Sequence, residues 1–463
     1  MRKFAGGARL APVVGLMAAV GVAADAQASG FQLKEQSAEG LGNAFAGSTA
    51  KAQDLSTIFF NPAGMTNLSG HQTDATMSYI APRAEFKDEG SGLNYLDSTP
   101  LLAPLNALNG APIQGNPNQG DAVDNALVPA LYGMYDLNEN LKLGLSVNTP
   151  FGLVTNYDDR WVGRYHALKS DLRTIAVQPS IAWKANDWLS VGGGPVIQYA
   201  EAELTKAIDT GSVLAGVTGN PALAGNPNFD TKSKVTGDDL AFGYTLGVML
   251  QPLDTTRIGL SYRSRITHKL DGDVEFSNVP GAVAANPLLA ASFANSGGRA
   301  KLNLPDTASI GVYHEFTPQF AMMADVAWTN WSVFRELSVF REDGTLLSST
   351  PEHWDDTWFY SLGATWKPND KLKLQLGVAY DQSPVPDATR TPRVPDGDRT
   401  WLSAGIGYEF MPGVVGNLAY THIWVDKVNV DLGNEGGGLP EHRLRGSYES
   451  SIDIIAAQVK VTF

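Results

Sequence analysis

At the end of the chain, apolar side chains fall at every second position: Ile455, Ala457, Val459, Val461 and the final Phe463 alternate with Ala456, Gln458, Lys460 and Thr462. That period of two predicts a β-strand with one apolar and one mostly polar face. In a membrane barrel, lipid takes the apolar face, a wet or plugged lumen takes the other, and a terminal aromatic residue belongs to the interfacial girdle. A solvated antiparallel sheet shows the same alternation, so its recurrence has to decide.

It recurs. Leu141, Leu143, Leu145 and Val147 alternate with Lys142, Gly144, Ser146 and Asn148, and Leu372, Leu374, Leu376, Val378 and Tyr380 repeat the pattern. So do Ile258/Leu260/Tyr262, Trp358/Tyr360/Leu362/Ala364/Trp366, Leu402/Ala404/Ile406/Tyr408/Phe410 and Leu418/Tyr420/His422/Trp424. Segments separated by stretches such as Lys367-Pro368-Asn369-Asp370 predict tight hairpins. Other connections run to roughly thirty residues, far beyond the usual two to five. Short turns at one end and long loops at the other fit an outer-membrane barrel.

No stretch of the mature chain offers the roughly twenty consecutive apolar residues of a spanning helix, so crossing a membrane would require a closed barrel. The first residues read as a secretory signal: Arg2, Lys3 and Arg9, an apolar run from Leu10 to Ala24, and Ala26-Gln27-Ala28 as the cleavage site, making residues 1–28 a signal peptide. Its removal makes a chain of formal charge −14 more acidic still, which speaks against nucleic acid as a partner. There is no cysteine, hence no disulfide or thiolate metal site. The seven histidines show no HExxH pattern, and no G-x-S-x-G elbow supports a hydrolase. Neither metal, cofactor nor catalysis is expected.

Residues 29–70 lack sustained alternation and cannot be wall. Their Phe31, Leu33, Leu41, Phe45, Ile58, Phe59 and Phe60 need burial, which predicts a compact plug in the lumen ahead of a barrel over residues 71–463, in preference to the alternative of a disordered periplasmic tail. Asp54 is positioned to cap a short helix, and Asn61 followed by Pro62 has the cap chemistry that starts another at Pro62-Ala63-Gly64-Met65.

Within this segment, Gly30-Phe31-Gln32-Leu33, Glu35, Ser37, Gly40-Leu41-Gly42 and Ala44-Phe45-Ala46-Gly47, followed by Asn61-Pro62-Ala63, closely resemble the hatch of the FadL/TodX family of outer-membrane transporters for long-chain fatty acids and aromatic hydrocarbons. Downstream, Asp381-Gln382-Ser383-Pro384-Val385-Pro386, Arg390, Pro395-Asp396, Asp398-Arg399 and Trp401-Leu402-Ser403-Ala404-Gly405 resemble that family's late hairpin loop. The resemblance implies an all-β fold, a transmembrane antiparallel barrel of about 14 strands with a small N-terminal helical hatch, and passive uptake of hydrophobic molecules. A general diffusion porin or structural barrel is the alternative.

Two loops suit capture of an apolar ligand: 207–234, with Ile208, Val213, Leu214, Val217, Leu223 and Phe229, and 272–301, with Phe276, Val279, Val283, Leu288, Leu289 and Phe293. The same residues can instead pack on each other as a lid. The resemblance places an outer groove on these loops and Phe31 at an inner pocket; plain plug packing is the other reading of Phe31. Pro150 and Gly152, flanking Phe151, interrupt a clean strand, and the resemblance makes that interruption a lateral opening. The ordinary alternative is that Pro150 marks the strand's extracellular end. Arg390, Arg393, Arg399, Lys232 and Lys234 can meet a carboxylate head group or serve as loop charge. Expected partners are the hydrophobic ligand, outer-membrane lipid and lipopolysaccharide, and the barrel-assembly machinery through the strand ending at Phe463.

Overall fold

A computed structural model describes residues 29–96, 100–433 and 439–463; the signal peptide expected over 1–28 lies outside the described residues. Fourteen antiparallel strands form a closed wall. Strand 1 is Gln72–Asp88, strand 2 Ala126–Asn138, strand 3 the two pieces Leu141–Asn148 and Gly152–Asn156, strand 4 Lys169–Asn186, strand 5 Leu189–Ile208 and strand 6 Thr231–Leu253. Strands 7 to 10 are each broken once: Thr256–Arg263 with Ile266–Ser277, Ser296–Leu304 with Thr307–Thr317, Phe320–Thr329 with Glu336–Arg341, and Leu346–Pro351 with Thr357–Trp366. Strands 11 and 12 are Leu372–Asp381 and Arg399–Met411, strand 13 is Val414–Val425 with Val428–Leu432, and strand 14 is Leu444–Thr462. Strand 14 closes on strand 1 from Gln72↔Thr462 to Asp88↔Gly446, so the sheet joins its own first strand.

The period of two has its physical reason in this closure. Along strand 1 buried and exposed residues alternate almost without fault. The exposed set around the barrel is apolar: Met77, Tyr79, Leu145, Leu246, Leu362, Leu376, Leu418, Ile455 and Val459 all point outward to lipid. Aromatic pairs sit at both levels of this band, Phe320 opposite Trp366 near the short turns and Trp328 opposite Trp358 towards the loops. The start of strand 1 and the C-terminus lie together at the short-turn end, where Phe463 N–H donates to His71 O at 2.8 Å.

Residues 29–68 fill the lumen. A one-turn helix, Ala38–Leu41, is capped by Ser37, whose Oγ accepts from Gly40 N at 2.9 Å; a second, Thr57–Phe60, runs into a 3₁₀ turn, Pro62–Asn67, where Asn61 Oδ1 accepts from Ala63 N at 3.2 Å. Asp54 does not cap with its side chain. It is held instead by Ser37 Oγ and Ser56 Oγ, both at 2.6 Å, and by Gln458 Nε2 of strand 14 at 2.7 Å. A carboxylate inside a barrel gains more from three donors than a one-turn helix offers it.

The plug meets the wall through its backbone as well as its side chains. Asn43 donates to the carbonyls of Ala364 (2.8 Å) and Leu376 (3.2 Å), Asn61 to those of Thr49 (2.7 Å) and Val248 (3.0 Å), and Asp325 accepts from Thr49 N at 2.9 Å. Lys373 of strand 11 pairs with buried Glu39 at 2.7 Å. Such close approach needs wall positions without a side chain: a Cβ on Gly377 would overlap the Asn43 backbone, one on Gly259 the Thr49 carbonyl, and one on Gly192 would lie 2.6 Å from Ala63 N.

Candidate functional site

The wall is interrupted at strand 3. Its partner on one side, strand 4, stays paired: Asn148 faces Ala176 and Gly152 faces Arg173, so strand 3 carries one residue more than strand 4 over this stretch. That extra residue makes a bulge, clamped by Thr174, whose Oγ1 accepts from Phe151 N at 2.9 Å and donates to Phe151 O at 2.7 Å. On the other side, pairing with strand 2 stops at Leu131↔Val147. It resumes in the same register only at an isolated Val123↔Thr155 bridge. Residues 124–130 and 148–154 between these points are unpaired with one another. Strand 3 therefore does not end at Pro150; it bends and continues.

The edge that strand 2 gives up is taken by the plug. Leu33 N donates to Pro150 O at 2.8 Å, Gly152 N donates to Phe31 O at 3.0 Å, and Gln32 bridges Phe151. Gln36 Nε2 adds a bond to Thr149 O at 2.8 Å, and Asn148 reaches Gln36 and Tyr132 at 3.0 and 2.8 Å. Sequence reasoning picked Pro150, Phe151 and Gly152 but missed Pro129 on strand 2. In the register kept on both sides of the gap, Pro129 would face Thr149; having no N–H, it was a visible signal of a broken ladder. Gly152 has a steric duty too, since a Cβ there would lie 3.1 Å from Leu33 Cδ1.

Phe31 stands beside this bend. Its ring is 4.7 Å from Trp331, 5.4 Å from Trp354, 5.7 Å from Phe334 and 6.1 Å from Phe151, mostly edge to face. Gly30 N donates to Asp396 Oδ2 at 2.8 Å and Ser29 Oγ to Gln382 O at 2.5 Å. The two sequence motifs of the plug and the late loop thus touch directly. Trp331, Phe334 and Trp354 had no signal in the sequence analysis beyond being aromatic outside the alternation.

Above Phe31 lies a cavity of about 80 Å³ whose lining includes Leu153 of the bent strand, Leu172, Leu270 and Leu302. It shares Leu204, Val235, Leu337, Val339 and Arg393 with a second cavity of about 250 Å³, which reaches Phe276, Phe293, Lys206 and Glu441. The second cavity opens towards the apolar residues of the two long loops. Those residues form one cluster: Val213, Leu214, Val283 and Phe293 are buried, with Phe229 and Leu289 packed against them. The strands climb higher than the sequence suggested, so the loops shorten to 209–230 and 278–295. Leu288 lies on the short helix Pro287–Ala290.

Five cations were candidates for a head group. Arg390 bonds Asp396 O and Val385 O at 3.0 Å, and Arg399 is paired with Asp396, so both hold the late loop. Lys232 and Lys234 are partly exposed and paired with Asp159 and Glu203. Arg393 alone of the five lines both cavities; burial pulls its guanidinium down to about 10, which leaves it a cation at neutral pH. His166 also lines the larger cavity, and burial pulls it down to about 4, leaving it neutral. A Ser–Asp–His grouping does occur, Ser212, Asp209 and His442, but Asp209 lies between the other two, bonded to Ser212 Oγ and 2.8 Å from His442 Nε2. A histidine must touch the serine to take its proton, so this arrangement ties loops together.

A family model described as outer membrane protein transport protein (OMPP1/FadL/TodX) matches residues 19–463. A 47 kDa outer membrane protein of Pasteurella multocida is 32% identical over 87% of this chain and 89% of its own. A long-chain fatty acid transport protein of Salmonella typhi is 30% identical over 89% and 91%. The crystal structure of a Pseudomonas aeruginosa FadL homologue superimposes with a TM-score of 0.81 at 27% identity, covering 94% of this chain and all of that one.

Proposed function

Because the chain belongs to the OMPP1/FadL/TodX family of outer-membrane transport proteins, we propose that it passes a long-chain fatty acid or hydrocarbon along a relay of apolar sites and releases it sideways into the bilayer. Capture falls to the loop cluster around Leu214, Phe229, Leu289 and Phe293. The ligand then moves through the larger cavity to the smaller one at Phe31, with Arg393 in position to meet a carboxylate on the way. Each methylene taken out of water is worth about 0.8 kcal/mol, so such a track needs no strong polar contact to hold a long chain.

The observation that carries the reading is the shared edge: the plug's main chain, Phe31 to Leu33, occupies the strand-3 edge that would otherwise close the wall. Withdrawing that segment would open the inner cavity and the gap between strands 2 and 3 together, since Leu153 belongs to both. The filled lumen speaks against a general diffusion porin. We assign outer-membrane lipid and lipopolysaccharide to the apolar outer face, and recognition by the barrel-assembly machinery to the last strand with Phe463.

A Pro129→Val, Pro150→Val variant returns an N–H to both edges of the gap and should seal it. Uptake of radiolabelled palmitate, and of a panel of alkanes and arenes, is measured in cells producing equal, heat-modifiable amounts of each barrel. Uptake should fall while ligand binding to the purified protein persists. Wild-type uptake by the sealed barrel would mean that ligand leaves past the hatch.

A further inference from the structure

We propose that Glu35 is a proton-binding site that latches the N-terminal hatch segment onto strand 3, so that the gate loosens when its carboxyl ionises. The proposal deepens the hatch reading above and rests on it.

Glu35 is fully buried, and neither carboxyl oxygen has a hydrogen-bond donor. Charged groups surround it from each side. On the hatch, Lys34 lies next to it but rests over the Phe359 ring at 4.2 Å. On strand 12, Arg399 spends Nε and Nη2 on Asp396 Oδ1 at 3.0 and 2.5 Å, and its Nη1 has no partner. On strand 11, Asp381 stands directly opposite Arg399 in the ladder and adds a second carboxylate whose Oδ2 is also unpartnered. A carboxylate without a donor in such a place carries the full cost of its lost hydration. Burial accordingly pushes Glu35 up to about 7, helped by Asp381 and opposed by Arg399 and Lys34.

The position gives this titration leverage on the gate. Two residues before Glu35, Leu33 donates to Pro150; one residue after it, Gln36 bonds Thr149 and Asn148, and Ser78 of strand 1 holds the Glu35 carbonyl at 3.1 Å. Any movement that brings the carboxyl to water or to Lys34 drags both ends of the hatch-to-strand contact. The docked state holds the proton more tightly than water does, so docking is strongest below the ordinary carboxyl range. It weakens as pH rises to about 7 and levels off above. If the displaced carboxyl is fully hydrated, the undocked-to-docked ratio rises by up to about three hundredfold across that window.

The absence of cysteine makes the test direct. A nitroxide is placed on a Gln32→Cys variant in nanodiscs, with Gly133→Cys on the outer wall as a control, and spectra are taken from pH 5 to 8.5. The mobile fraction at position 32 should grow with pH, the control should not change, and Glu35→Gln should stay docked throughout. A pH-independent spectrum, or the same pH dependence in Glu35→Gln, overturns the latch. The wild-type profile serves even if Glu35→Gln fails to assemble. The spectra need no ligand, so a negative result leaves the transport reading standing, and absent palmitate uptake would leave this one standing.

Discussion

Putting a side chain on one wall glycine should unseat the hatch without touching the barrel. Gly377 lies on strand 11, paired with Gly363 and Ser403, and its missing side chain faces Asn43. A Cβ there would overlap the Asn43 carbonyl group and lie 2.6 Å from Ala44 N. Because these are backbone atoms, no rotamer change relieves the overlap. Ala44 and Phe45 already sit at φ 50 and 57, leaving that turn little freedom to adjust. Overpacking of this kind costs about 1–3 kcal/mol. All of it falls on the docked hatch, since valine suits the strand, so the docking constant should weaken by about 5- to 150-fold. Gly133→Val on strand 2 is the matched control, because nothing lies within 4 Å of its Cβ position. In planar bilayers Gly377→Val should open far more often than wild type or Gly133→Val, with all three equally heat-modifiable. Wild-type conductance from Gly377→Val, with the barrel intact, would show that the hatch is not held by this close backbone packing.

Phe31→Ala should remove about 3–5 kcal/mol of burial from the hatch segment, seen as faster proteolysis of residues 29–36 in an otherwise protected barrel; unchanged protection would demote the aromatic cluster. Replacing Leu289 and Phe293 with Ser should weaken binding of a long-chain apolar ligand by roughly tenfold or more, measured by tryptophan quenching. Unchanged affinity would place capture elsewhere, and loss of heat-modifiability would show that the loop cluster supports the barrel instead.

Strand existence was legible because a lipid-facing wall imposes one rule on every position, and a period of two survives any loop length. The hatch was legible by exclusion, since Phe31, Leu33 and Phe45 have no alternation to belong to. Most of the site was not legible. Three of the four aromatic partners of Phe31, namely Trp331, Phe334 and Trp354, lie some three hundred residues away, brought near by closure of the ring, which leaves no mark on local pattern. Arg390, Arg393 and Arg399 look alike in sequence; the late loop's fold alone turns two of them to Asp396 and its neighbouring carbonyls and the third to the cavities. Asp54 reads as a cap in the sequence for a related reason: of the three donors that hold it, Gln458 lies at the far end of the chain.

That distance also sets a timetable. The hatch precedes strand 1, yet Gln458 on strand 14 and the loop before strand 12 hold it. These contacts close chain segments of several hundred residues, the slowest kind to form. Until strand 14 meets strand 1, much of the hatch's binding surface does not exist. The newly closed ring should therefore pass through an unplugged stage before the segment seats, with hatch docking following seam closure rather than guiding it.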